Sequence, residues 1–266
     1  MPKFTDQQYL KNDQYRDSSN LDARVVLHQR FSVNPQGWMN WVFDHLLKLP
    51  EDANILELGC GPGYLWKENI ERIPSGWRIT LSDLSSGMLD AAWRNLVVTG
   101  RVFQFKEIDA QAIPFEDETF DALIANHMLY HVPDRPKAIA EIKRVLKPGG
   151  LLVATTLGKS HMQEMTEWMR RASADKDIEP FSLPFSLENG LEQLKPYFLT
   201  VRLERYEDHL QVTEVEPIIA YLSSGFQAAE VLKDEVDKLR KELQARLGNE
   251  KSISISKDSG LFEAIK

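Results

Sequence analysis

Between residues 53 and 157, short apolar runs alternate with stretches whose apolar residues recur every three or four positions. Runs of the first kind suit buried strands, and the second kind suits helices that bury one stripe. The segment therefore reads as successive βαβ units around a parallel sheet. Strands are predicted at Ala53–Leu58, Trp77–Ser82, Val102–Ile108, Ala122–Ala125 and Leu151–Thr156. Ser86–Val98 places Met88, Ala91, Ala92 and Leu96 on one helical face. Pro136–Lys147 does the same with Ile139, Ile142, Val145 and Leu146. Asp134 is positioned to cap that second helix, and Lys147-Pro148-Gly149-Gly150 to stop it.

Four segments follow from this pattern. Residues 1–50 form an N-terminal helical lid, with helices at Leu21–Phe31 and Pro35–Leu49, and residues 51–157 form the ligand-binding core. Residues 158–250 form a cap insertion that also supplies a sixth strand, Phe198–Tyr206. It holds helices at Ser160–Ala174 and Phe226–Leu247 and a loop rich in Pro and Phe (Pro180, Phe181, Pro184, Phe185). Residues 251–266 turn at Asp258-Ser259-Gly260 and end in a strand, Leu261–Ile265, that completes the sheet. In open α/β sheets ligands bind at the carboxyl ends of the strands, so the extra pieces are expected to cover that edge. Leu232, Val236, Leu239 and Leu243 form a short seam, which either packs on the same chain or makes a dimer contact; a monomer or homodimer is expected.

Composition narrows the function. The 266 residues are 42% hydrophobic and 27% charged, enough for a sizeable core. A net charge of −8 argues against a nucleic-acid partner, which needs Lys and Arg gathered on one face. Lys143, Arg144 and Lys147 do cluster, at a helix end where the dipole favours them. No apolar run reaches the ~20 residues of a membrane span, and Met1–Asn20 is polar, so a cytoplasmic location is expected. The single cysteine, Cys60, allows no intrachain disulfide. No metal is expected: His127 and His131 stand four apart, but no Glu accompanies them at the required place and Pro133 breaks the helix.

The chemistry is concentrated at the strand ends. Ile55-Leu56-Glu57-Leu58-Gly59-Cys60-Gly61-Pro62-Gly63 runs a strand into a glycine turn where backbone can approach a ligand closely. Dinucleotide enzymes use G-x-G-x-x-G, but Tyr64 stands where the third glycine would be, which argues against a nicotinamide-dependent oxidoreductase. Asp83 ends the second strand, where a carboxylate can accept hydrogen bonds from both ribose hydroxyls; alternatively it caps the next helix. Ile108-Asp109-Ala110, Phe120-Asp121-Ala122-Leu123-Ile124-Ala125-Asn126-His127 and Leu146-Lys147-Pro148-Gly149-Gly150 follow in order.

These five motifs, in this order and spacing, closely resemble the class I S-adenosylmethionine-dependent methyltransferases, in the small-molecule branch related to ubiquinone and menaquinone biosynthesis. The resemblance spans about residues 50–157. It implies a doubly wound α/β fold with a mostly parallel seven-stranded sheet, S-adenosyl-L-methionine as cofactor, and methyl transfer to a small molecule. It further implies that Gly59, Cys60, Gly61 and Gly63 hold the methionine moiety, with Leu84 and Met88 beside Asp83 at the ribose. Asp109 and Ala110 flank the adenine, and Asn126 closes around the sulfonium. Glu57 either braces the turn or meets the ligand's ammonium. A catalytically silent binding scaffold would carry the same motifs.

Other candidates come from position alone. His127 directly follows the fourth strand, where a transferred methyl should emerge, and its type suits a general base near neutrality. His131, one turn further, is a weaker candidate. Arg24 and His28 share one face of a predicted helix, and Tyr9 and Tyr15 lie in the polar N-terminal arm; all four are candidates to meet substrate. Trp38, Trp41, Phe43, Trp168, Phe181 and Phe185 are expected to meet above the sheet edge and line an apolar acceptor pocket.

Overall fold

The predicted apolar runs lie side by side as β1 (Asn54–Leu58), β2 (Arg78–Asp83), β3 (Gln104–Glu107), β4 (Phe120–Asn126) and β5 (Leu146–Leu157). They are joined by β6 (Thr200–Tyr206), while β7 (His209–Val212) and β8 (Ile253–Ser256) pair separately and β9 (Ser259–Ile265) ends the chain. The computed structural model describes residues 3–172, 182–225 and 235–266. Its main sheet has seven strands in the order β3-β2-β1-β4-β5-β9-β6, parallel except for β9, which is antiparallel to both neighbours.

Side chains alternate along these strands, so each feeds two cores. On β4, Leu123 and Ala125 face one layer with Ile139, Ile142 and Val145 of the helix Arg135–Val145. Ala122 and Ile124 face the other, with Phe43, Leu65, Trp66 and Leu96. A third core joins the helix Ser19–Phe31, through Leu27 and Phe31, to Leu210, Val212, Ile253 and Ile255 of the β7–β8 pair. Leu239 and Leu243, on the helix Val236–Glu250, are buried in that same core, so this half of the leucine seam packs on its own chain. Leu232, Phe226 and the start of the predicted Phe226–Leu247 helix lie outside the described residues, as do Pro180 and Phe181.

Several boundaries differ from expectation for local reasons. The helix capped by Asp134 ends at Val145 because Leu146 is already extended and pairs with Phe120. Lys147 Nζ donates to both oxygens of Asp121, at 2.8 and 2.9 Å, and Arg144 is forked onto Glu141 and Asp117. Lys143 and Arg144 stand in the helix's last turn, as expected, while Lys147 lies beyond the helix and is held by its ion pair. The helix predicted at Pro35–Leu49 is confined to Trp38–Asp44, since Gly37 precedes it with φ of 76°. Ser259 and Gly260 belong to β9 instead of a turn: a Cβ on Gly260 would stand 2.4 Å from the Glu204 carbonyl oxygen, so only glycine fits between β5 and β6 here. The β7–β8 pair was not anticipated, because its two strands of four residues are far apart in sequence.

Candidate active site

The strand order reverses between β1 and β4, and a cavity of about 690 Å³ opens at the carboxyl ends of these strands. The glycine turn forms one wall. Gly59 and Gly61 have φ of 66° and 52°, the left-handed region, and a Cβ on Gly59 would press within 2.8 Å of Met128 Cβ. Both glycines line the cavity together with Glu57 and Cys60. Gly63 does not. It precedes the short helix Tyr64–Glu68, and a Cβ there would meet Leu96 at 3.0 Å, so its smallness serves packing. Burial pushes the Cys60 thiol well above its ordinary range, and its Sγ donates to the Gly61 carbonyl at 3.4 Å.

Asp83 ties this turn to β2. Its Oδ2 accepts the Gly61 N–H at 3.0 Å and its Oδ1 the Ser85 N–H at 2.9 Å. The helix Ser86–Val97 is capped by Ser85, whose Oγ accepts from Met88 N–H at 3.3 Å, so Asp83 is not the cap. Burial pushes the Asp83 carboxyl up to about 6, against the backbone N–H groups that favour its ionised form. Glu57 is fully buried. Trp66 Nε1–H donates to it at 2.6 Å, yet burial carries its carboxyl up to about 8. Leu84, Met88, Asp109 and Ala110 continue the wall. Asp109 accepts from Gln7 Nε2 at 3.0 Å and from Gln111 N–H at 2.9 Å, which brings the chain's start to the end of β3.

Across the switch point, Asn126 and His127 end β4. Thr155 Oγ1 donates to Asn126 Oδ1 at 2.6 Å and accepts the His127 N–H at 2.9 Å, holding His127 at φ of 52°. His127 stacks on Trp38. Burial, followed by the Lys257 and His131 charges, brings its imidazole down to about 3. Tyr15 Oη lies 3.0 Å from His131 Nε2, and His131 Nδ1–H donates to the Phe4 carbonyl at 2.9 Å. Arg24 and His28 reach the cavity from the helix Ser19–Phe31.

Tyr9 is not in the wall; Lys3 Nζ lies over its ring at 5.6 Å instead. Of the described aromatics expected to converge, only Trp38 lines the cavity. Trp41 and Phe43 fill the second core, Trp168 the third and Phe185 the first, because each lies on the buried side of its element. Tyr130, His161, Tyr221 and Lys257 do line it and were not expected. No spacing links them, since they come from four separate segments. Among the described residues no group of His, Cys, Asp and Glu could hold a metal ion, and no helix is long and apolar enough to cross a membrane.

A mostly parallel seven-stranded sheet with a glycine turn at its switch point is the Rossmann-like methyltransferase fold. Residues 56–154 match the family described as "Methyltransferase domain", and this core is similar to UbiE-type methyltransferases. The ubiquinone/menaquinone biosynthesis C-methyltransferase UbiE of Francisella tularensis subsp. novicida is 33% identical over 108 residues, 40% of this chain and 43% of that relative. The malonyl-[acyl-carrier protein] O-methyltransferase of Serratia marcescens is 28% identical over 130 residues, 48% of this chain and 47% of that relative. The chain thus spans about half the length of the curated relatives it matches.

Solved structures share the fold more completely. The [4+2]-cyclase SpnF superposes with a TM-score of 0.61 at 19% identity, over 98% of this chain and 96% of that one. Phosphoethanolamine N-methyltransferase 2 of Haemonchus contortus, solved in complex with S-adenosyl-L-methionine, gives 0.59 at 18% identity, over 100% of this chain and 60% of that one.

Proposed function

We propose that the protein transfers the methyl group of S-adenosylmethionine to a small-molecule acceptor bound in the same cavity. The observation that carries this reading is the Gly61–Asp83 bridge at the switch point. It holds an open glycine backbone beside a buried carboxylate, in a cavity large enough for two small ligands. The residues present fit the cofactor. Each Asp83 oxygen accepts one backbone N–H and retains capacity for a ribose hydroxyl, while the Glu57 carboxyl on the same wall can accept from the ligand's ammonium.

In this reading Gly59, Cys60 and Gly61 hold the methionine moiety and Asp83, Leu84 and Met88 the ribose. Asp109 and Ala110 flank the adenine, and Asn126 lies at the sulfonium. When bound, the cofactor supplies a methyl group already activated by positively charged sulfur, so its departure needs no acid. The protein's part is to orient the acceptor and exclude water, effects that can supply ~7–11 kcal/mol. The described parts of residues 1–50 and 158–250, through residues such as Tyr15, Trp38, His161 and Tyr221, serve as the cover that does so.

Calorimetric titration with S-adenosylhomocysteine and, separately, with NAD tests the reading. Micromolar binding of the first and none of the second is expected; the reverse order of affinity overturns the assignment. Methyl transfer to any acceptor then separates an enzyme from a silent scaffold.

A further inference from the structure

Three imidazoles gather on the β4–β5–β9 side of the switch point, away from the Asp83 carboxylate at the end of β2. His127 follows β4, His161 follows β5, and His28 comes from the helix Ser19–Phe31; all three line the cavity. The His28 and His161 ring centroids are 6.1 Å apart. Lys257, just before β9, joins the same wall, and its ammonium pairs with Asp208 at 2.5 Å. Asp208 is already saturated by Ser32 Oγ and by the N–H groups of Val33 and Asn34. The other nearby carboxylate, Asp258, is bound by Arg205 and by the Ser160 N–H.

The protons on these rings can be placed. His161 Nδ1 accepts the Asp258 backbone N–H at 3.2 Å, which puts its proton on Nε2. Nδ1 of both His28 and His127 is buried with no partner. A buried N–H left without an acceptor is rarer in proteins than an unfilled lone pair, so these rings too carry their proton on Nε2. The edge that each ring leaves to the cavity is therefore a donor. All three imidazoles are pulled well below their ordinary range, by burial first and by the Lys257 charge among the further causes. The wall thus offers three N–H donors beside the Lys257–Asp208 ion pair, and its own carboxylates are already engaged. Trp38, stacked on His127, adds an apolar face.

We infer that this wall receives the carboxylate of an acidic acceptor, so that the small molecule methylated is an organic acid with an apolar or aromatic body. Donors without a competing acceptor complement an oxygen anion, and they leave a neutral or cationic headgroup unmatched. The inference rests on the proposal that the Gly61–Asp83 half of the cavity holds the cofactor.

The test uses full-length protein saturated with S-adenosylhomocysteine and the isosteric pair benzoate and benzamide, with binding followed by ¹⁵N spectra of the histidine rings. Benzoate should bind at least about tenfold more tightly than benzamide, and should shift the His28, His127 and His161 signals from the Nε2–H tautomer. His28→Phe and His161→Phe, which keep a ring and remove the donor, should each reduce the benzoate preference severalfold without changing S-adenosylhomocysteine affinity. Equal binding of the two probes overturns the inference, as does no binding of benzoate, or a preference that both variants retain. Failure of S-adenosylhomocysteine to bind at the outset would instead overturn the cofactor proposal.

Discussion

Trp38 and His127 stack with ring centroids 5.1 Å apart and planes inclined by 26°. The contact joins the segment before the first strand to the end of β4. Tyr206 closes edge-on against the same indole, centroids 5.3 Å apart. His127 is thereby held by a ring face, a backbone hydrogen bond to Thr155 and a left-handed φ, a conformation costing a non-glycine residue ~1–3 kcal/mol. Such fixing suits a group that positions a substrate. The proton affinity agrees, since an imidazole brought down to about 3 is a weak base at neutrality.

His127→Phe should therefore raise KM for the acceptor while lowering kcat less than about tenfold, because the stack survives and only the donor is lost. With cofactor and acceptor saturating, rates measured from about pH 5 to 8 should show no inflection near the ordinary histidine value. A kcat loss of ~10²–10⁴ with KM unchanged would establish His127 as the general base instead.

Gly61→Val should abolish S-adenosylhomocysteine binding in a folded protein. The substitution forces a β-branched residue to φ of 52° and pushes a side chain towards Leu21, 3.3 Å from the position of Cβ. The strain and the lost backbone approach act at one place on the turn, so circular dichroism should remain native while calorimetry reads no binding. Undiminished affinity would remove the turn from the site.

Much of the core was legible because it is local. The glycine turn, Asp83, Asp109 and Asn126 each sit at or just past the end of a strand that a short apolar run marks, and the structure brings them to one cavity. Gly63 carried the same motif signal but faces Leu96, since a motif records spacing and not direction. The proposed acceptor wall was legible only in part, through His28, His127 and Trp38, each a candidate by position. Lys257 and His161 belong to short segments whose meeting depends on where β9 enters between β5 and β6, a long-range pairing with no sequence period. The aromatics misled for a related reason: Trp41, Phe43, Trp168 and Phe185 fill cores, the commoner fate of large apolar side chains.

Asp83→Asn should weaken S-adenosylhomocysteine binding by ~1.5–3 kcal/mol for each charge-assisted hydrogen bond lost, and calorimetry reads this directly. The helix Ser86–Val97 should keep its stability, because Ser85 and not Asp83 caps it. An unchanged dissociation constant would place the ribose elsewhere.

Stability should depend on pH with two opposing signs. The histidines His28 and His127 have folded values of about 3 against 6.5, so the unfolded chain binds more protons between these values and stability falls as pH drops from 6.5 towards 3. Glu57 has a folded value of about 8 against 4.5, so its contribution is fully present below 4.5 and is lost as pH rises towards 8. Glu57→Gln keeps the shape and removes the titration. In urea melts of the ligand-free protein, the loss of stability between pH 6.5 and 8, where the histidine contribution is constant, should shrink in this variant. An unaltered slope would show that Glu57 is already ionised when folded.

The N-terminal arm offers the last prediction. Gln7, Leu10, Lys11 and Tyr15 all line the cavity, so the arm forms wall and not merely an approach to it. Three of its fastenings are on the proposed cofactor side: Gln7 to Asp109 at 3.0 Å, Tyr15 Oη to His131 Nε2 at 3.0 Å, and the Tyr15 carbonyl to Ser85 Oγ at 2.7 Å. Each of the three joins the arm to the end of a different strand or the helix after it. Of residues 3–15 only Phe4 packs on a main core, partly buried against the first, whereas Leu27 and Phe31 of the following helix belong to the third. Deleting residues 1–15 should therefore leave a cooperatively folding protein. S-adenosylhomocysteine affinity should fall by one to two orders of magnitude, ~1.4–2.8 kcal/mol, as a wall and its hydrogen bonds are lost. Tyr15→Phe keeps the ring and removes one hydrogen bond, so the loss should be about two- to tenfold. Calorimetry on both variants checks the order of the effects. If the truncated protein binds S-adenosylhomocysteine as tightly as the full chain, the arm contributes no part of the cofactor site.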